Sequence, residues 1–272
     1  MLPAIVIPED WPAHRQLRTL ADEQRIVMLA GLPGVGKSLY VQQLALFAQR
    51  AGRFVHLLQW DVTRAAFETP DVLARFPEID GFTHPAIKRG IGTWARQGVL
   101  AWHERHPSSA HLLIAEVALV GNRLMSLVEP QEDAVEPLLA GPDTRVVLPV
   151  PSREVRRTIE AARDRTMSTP RHEREAADAP PNVLRALWEE VYREGARLDS
   201  TTAPPPGPIA YDPDVYRRVF HHWLRHRRTD TLEIDRVLSN GGSVYDTGHI
   251  ASELRATPGE VAAIMAAADP SA

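Results

Sequence analysis

Eight residues, GLPGVGKS from Gly31 to Ser38, bring three glycines together with a lysine and a hydroxyl. Holding an anion through backbone amides requires several N–H groups to turn inward around it, and glycine supplies the close approach and unusual dihedrals that this needs. The spacing predicts a phosphate cradle built from Gly31, Pro33, Gly34, Val35, Gly36, Lys37, Ser38 and Leu39. A helix opening at the end of the turn would aim its N-terminal dipole at the same anion. Lys37 then adds a point charge, and Ser38 a hydroxyl suited to a divalent cation.

The turn follows the apolar run RIVML and precedes helical spacing, which is the context that G-x-x-x-x-G-K-[ST] requires. In this it resembles the P-loop NTPase superfamily, with Walker A positions at Gly31, Gly34, Gly36, Lys37 and Ser38. The resemblance implies a nucleoside triphosphate and Mg²⁺, with Lys37 on the β- and γ-phosphates. The 31 basic residues include two lysines, Lys37 and Lys88, and neither follows an asparagine, so the guanine-reading N-K-x-D is absent. ATP is therefore the expected nucleotide. An ABC signature is missing, since LSNGGS from Leu238 to Ser243 reads as a glycine turn. HLLIAEV carries one carboxylate, where a helicase or AAA motor would show a longer acidic Walker B. Small-molecule and nucleotide kinases remain.

Three features fit that branch. QWDVTR places Asp61 at the end of the second apolar run, read as a strand beside the glycine-turn strand, where a carboxylate can orient or deprotonate an acceptor hydroxyl. Capping the next helix is the alternative role for Asp61. Arg64 would neutralise an anionic substrate, and this D-x-x-R looks like zeta-toxin-type kinases, in which the aspartate acts on the acceptor hydroxyl. Glu116, alone inside LLIAEVAL, is expensive to bury without a task and is expected at Mg²⁺ or substrate. Asn122 and Arg123 follow on a loop toward the acceptor. Finally, SREVRRTIEAARDRTMSTPRHERE is rich in arginine. Nucleotide kinases, similar in strand layout, deliver lid arginines from this region, and Arg163 and Arg165 are the expected catalytic pair among Arg156, Arg157, Arg163 and Arg165. An i,i+4 pair of Arg156 with Glu160 is the structural alternative.

Five apolar runs must position these groups: RIVMLAG (25–31), RFVHLLQWD (53–61), HLLIAEVAL (111–119), RVVLPV (145–150) and DTLEID (230–235). With helical spacing between them, they predict a single α/β domain over 1–272, a three-layer parallel sheet of about five strands with flanking helices. Its core spans about 22–240, with an arginine-rich lid at about 153–180. TTAPPPGP is a loop. HIASELRATPGEVAAIMAAA, with two short helical patterns, predicts a C-terminal helical cap at about 246–272.

The formal charge of −4 leaves no basic field for nucleic acid, and the absence of cysteine removes disulfides and thiolate chemistry. MLPAIVIPEDWP has no basic n-region and no run approaches a membrane span, so a cytoplasmic protein with a small-molecule partner is expected. Nothing in the sequence sets the oligomeric state. His103, His106, His111, His172, His221 and His222 show no metal-ligand spacing, so no metal besides Mg²⁺ is expected. The function expected is transfer of the ATP γ-phosphate to an acceptor hydroxyl, against an ATP-hydrolysing switch or a polynucleotide 5′-hydroxyl kinase.

Overall fold

The computed structural model describes residues 4–79, 82–170, 172–176, 179–200, 207–238, 241–247 and 249–268. Six strands, β1 (Ile26–Ala30), β2 (Phe54–Gln59), β3 (His111–Val117), β4 (Thr144–Pro151), β5 (Thr229–Ile234) and β6 (Ala251–Glu253), form one sheet ordered β5-β4-β1-β3-β2-β6. Every pairing is parallel. In the register, Leu29 lies opposite Glu116 and Val27 opposite Ile114.

The helices are α1 (Pro12–Glu23), α2 (Lys37–Arg50), α3 (Trp60–Phe67), α4 (Pro70–Arg75), α5 (Pro85–Arg105), α6 (Glu136–Ala140), α7 (Arg153–Ser168), α8 (Glu173–Ala176), α9 (Pro181–Leu198), α10 (Pro213–Trp223) and α11 (Pro258–Ala267). Both faces of the sheet are covered, which is why the strands read as unbroken apolar runs. Val27, Leu29, Val55, Leu57, Leu112 and Ile114 pack against α1 and α2. Ile26, Met28, Leu58, Leu113 and Ala115 face the opposite way, toward α3, α5, α9, α10 and α11. Among the described residues no helix is long and apolar enough to cross a membrane.

The five expected strands are present, with ends shifted by a residue or more, and three expectations need correction. The tail contributes β6 before its single helix, α11, so it is not an all-helical cap. Three residues pairing with β2 through Val55 and Ala251 are too short to leave an apolar run. The second run ends as strand at Gln59, and Trp60 and Asp61 already belong to α3. Gln59 holds the N-cap position without a side-chain bond, so Asp61 does not cap α3. The third concerns neighbours: β2 is not beside β1, because β3 inserts between them. Apolar runs carry no information on strand order. Helix α1 is an element the expectations omit, although Ala13, Leu17, Leu20 and Ala21 follow helical spacing and are buried. Residues 201–206 of the loop expected at TTAPPPGP, the middle of LSNGGS (239–240) and the last four residues of the expected cap lie outside the described residues.

Two enclosed guanidiniums fasten the long segment after β3. Arg96 of α5, 3 % exposed, donates to both Asp133 oxygens at 2.6 Å and to Glu136 at 2.8 Å. Arg227 donates to Glu136 at 2.7 and 3.0 Å and to the carbonyls of Leu127 and Glu129. Burial pushes the Glu136 carboxyl up, but hydrogen bonds from Arg227 and Arg96 outweigh it and hold the group below its ordinary 4.5. A depressed carboxylate contributes stability above its unfolded value and loses it as pH falls through the folded one. Glu136→Ala leaves the buried Arg227 without its carboxylate, while Arg96 keeps Asp133, and should cost about 3 kcal/mol, read as a lower urea midpoint at pH 7. The difference from wild type should shrink below pH 4.

Candidate functional site

The chain leaves the wholly buried β1 into backbone that side chains resist: φ is 144° at Gly31, 79° at Gly34 and 90° at Gly36. A Cβ on Gly31 would lie 2.3 Å from the Tyr216 hydroxyl, and one on Gly34 would lie 3.1 Å from the Arg156 guanidinium. Glycine is required at both by conformation and by space. Gly36 is the N-cap of the 14-residue α2 and provides no side chain to its first-turn amides. Those amides therefore remain as donors for an anion.

Lys37 is 6 % exposed and folds back over its own loop, where its Nζ donates to the Leu32 carbonyl at 3.0 Å. The nearest carboxylate oxygen, Glu116 Oε1, is 3.8 Å away. Burial pushes the ammonium down to about 8; Glu116 and Asp61 oppose that shift, while Arg163 and Arg156 add to it. A bound polyanion would restore what this cation lacks.

Glu116 ends the descent of β3 into the same crevice. Ser38 Oγ donates to its Oε1 at 3.3 Å, and Gln59 Nε2 to its Oε2 at 3.5 Å. Two hard oxygen donors side by side beside the cradle are a fitting ligand set for Mg²⁺, which keeps several of its waters and takes few protein ligands.

Beyond β3 the backbone is forced into left-handed conformations at residues other than glycine: Leu119 (φ 64°), Asn122 (φ 59°) and Leu124 (φ 59°), with Gly121 between them. A hydrogen bond from Leu119 N to Arg123 O at 3.0 Å closes the loop. The Arg96 and Arg227 network bonds the carbonyls of Ser126, Leu127 and Glu129 just beyond this loop, and Arg123 lies over the Trp60 ring, 5.9 Å from its centroid. Burial lowers the Arg123 guanidinium, with Asp61 opposing and Arg64 adding to the shift. Asp61, exposed in the first turn of α3, lines the cavity beside Arg64, which pairs with Glu68 at 3.7 Å.

The arginine-rich segment divides by role. Arg156 of α7, 1 % exposed, donates to the Pro33 carbonyl at 2.7 Å and to Glu160 at 2.6 Å, bracing the glycine turn from outside. It is thus both the expected helix pair and part of the site. Arg163 lies about two turns further along, its Nη1 3.4 Å from where a Gly34 Cβ would be, and it lines the cavity. Arg157 is exposed and outside the cavity lining. Arg165 belongs to α7, but its side chain lies outside the described residues. Arg174, which the sequence reading passed over, reaches the cavity wall and donates to Gln59 of β2 and to Glu253 of β6.

Together these groups line a cavity of about 790 Å³ at the carboxyl edge of the sheet. Loops after β1 and β4 leave in opposite directions there, the switch point where open α/β sheets bind ligands. Its lining combines the apolar Ile159, Ile234, Val237 and Leu238 with Lys37, Ser38 and Arg163 and with Asp61, Arg64, Thr83 and Arg123. No protein-family model, curated protein or solved structure matches the chain. Gln59, Thr83 and Arg174 are site residues that carry no local motif; their relevance comes from contacts between distant segments.

A buried lysine held below its unfolded value costs the ligand-free fold stability at neutral pH, here about 3 kcal/mol for a shift from 10.5 to about 8. Lys37→Met should therefore raise the denaturant midpoint of the ligand-free protein at pH 7. The gain should fade between pH 8 and 10.5, as the wild-type ammonium deprotonates.

Proposed function

We propose that the protein is a P-loop kinase that binds ATP with Mg²⁺ and transfers the γ-phosphoryl group to a hydroxyl of a small molecule. The observation that carries this reading is the convergence of Lys37, Ser38, Glu116 and Asp61 on one cavity from three separate stretches of chain. Lys37 and the amides of the glycine turn hold the β- and γ-phosphates, while Arg163 approaches the same group from α7. Ser38 and Glu116 would hold Mg²⁺, which when bound would supply charge neutralisation at the phosphates. The apolar part of the cavity lining receives the purine, and the cavity volume lies within the range of small-ligand sites.

Asp61 accepts the acceptor's hydroxyl proton as the oxygen attacks phosphorus, and ADP leaves on the far side. Its place outside the cap of α3 leaves the carboxylate available for that task. Arg64 and Arg123 stand beside it and favour an acceptor that carries negative charge. The net charge of −4 disfavours a polynucleotide as that acceptor.

Asp61→Asn should keep ATP affinity within about twofold and lower phosphoryl transfer at least a hundredfold. The measurement is transfer of labelled γ-phosphate to a pooled set of hydroxyl-bearing metabolites. Label found solely as free phosphate would move the reading to an ATP-hydrolysing switch, and unchanged transfer would release Asp61 from the chemistry.

ATP affinity should fall as pH rises through 8, by up to about tenfold per unit, because the anion binds the charged form of Lys37. Calorimetric titration from pH 7 to 9.5 reads this slope. Lys37→Met should bind ATP weakly and without it.

A further inference from the structure

At the opposite edge of the sheet, three histidines distant in sequence meet. His56 comes from β2, His111 opens β3 and His106 is the C-cap of α5. All three are half-buried, and one ring nitrogen from each lies within 4.8 Å of the other two. We propose that His56, His106 and His111 form a binding site for a divalent transition metal, with zinc as the ion best matched to it.

The spacing supports this. Three imidazoles on a tetrahedral zinc, with Zn–N bonds of about 2.0–2.1 Å, place their nitrogens about 3.3 Å and their ring centroids roughly 5 Å apart. Here His56 Nε2 and His111 Nδ1 are 3.0 Å apart, and the three centroid separations are 4.4, 4.6 and 5.3 Å. A small rotation of the His106 ring completes the set, and solvent fills the fourth position.

An outer partner is already in place. His56 Nδ1 lies 3.1 Å from Ser252 Oγ, whose hydroxyl donates to the Val55 carbonyl at 3.4 Å. The serine oxygen thus accepts the Nδ1 proton, which fixes the tautomer that leaves Nε2 as a lone pair. His111 Nδ1 faces that lone pair and carries the proton in the metal-free protein. A metal displaces it to Nε2 of the same ring. Burial, with His106 and His111 adding, pushes His56 down to about 4, so it is a neutral ligand at pH 7. Borderline ions suit three imidazoles, whereas Mg²⁺ and Ca²⁺ require oxygen. Arg25 and Arg53 lie near His111 and weaken the attraction for a dication. Their guanidiniums bond carbonyls of the 106–111 turn, and so also set its shape.

The test is equilibrium dialysis of the full chain, stripped by chelator, against Zn²⁺ with excess Mg²⁺ present, paired with visible spectra of the Co²⁺ form. One equivalent of Zn²⁺ and four-coordinate Co²⁺ bands are expected. His106→Gln, at the helix end and least able to disturb the sheet, should weaken Zn²⁺ binding at least tenfold. Ser252→Ala should weaken it by roughly tenfold by releasing the His56 ring. ATP affinity should be unchanged in both variants, which separates this site from the glycine-turn cavity. Absence of saturable Zn²⁺ uptake, six-coordinate Co²⁺ spectra, or uptake unaltered by His106→Gln would overturn the proposal.

Discussion

An ammonium group out of water needs compensation, and that of Lys37 is incomplete. It has one carbonyl at 3.0 Å and a carboxylate at 3.8 Å, and it shares its surroundings with Arg156 and Arg163. Most of the architecture around it follows from holding that imbalance in place. The β1 strand must be central so that Glu116 arrives from β3 on one side and α7 from β4 on the other. The glycine turn is anchored inward by the buried Leu32 and Val35, and Arg156 braces it from outside through Pro33. The net excess of positive charge along the cavity wall favours an anion there.

Two stretches of unusual backbone sit at the same sheet edge and are stabilised in different ways. The turn after β1 uses glycine, which enters left-handed conformations at little cost. The loop after β3 uses Leu119, Asn122 and Leu124, each strained, and is followed at once by the carbonyls that the buried arginine network bonds. Arg123 is positioned by that strained loop, whereas the glycine turn is positioned by intrinsic backbone freedom. In the proposed enzyme, nucleotide and acceptor ends thus rest on separate supports.

The glycine turn was legible because its chemistry is local: the amides, the lysine and the helix start lie within nine consecutive residues. Strands β1, β3 and β4 were legible because both faces are buried, whereas β5 buries Leu232 and Ile234 and exposes Glu233 between them. The order of the strands was not legible, since β3 separating β2 from β1 leaves no mark on either run. Asp61 was located, but its role as a cap was not separable from its role in the cavity until Gln59 took the N-cap position. Arg156 illustrates a further limit: its spacing to Glu160 marked an ordinary helical pair, and only the fold adds the Pro33 contact 123 residues away. The three-histidine cluster was invisible for the same reason, because His56 is 50 residues from the nearer of its partners.

Arg174 holds β2 through Gln59 and β6 through Glu253, so one guanidinium ties the wall of the cavity to the last and shortest strand. A molecule entering or leaving past that wall would pull on a three-residue strand at the end of the sheet order. Traffic through the cavity and fraying at the sheet margin are therefore mechanically linked, and crevice occupancy should be felt by the chain's closing segment.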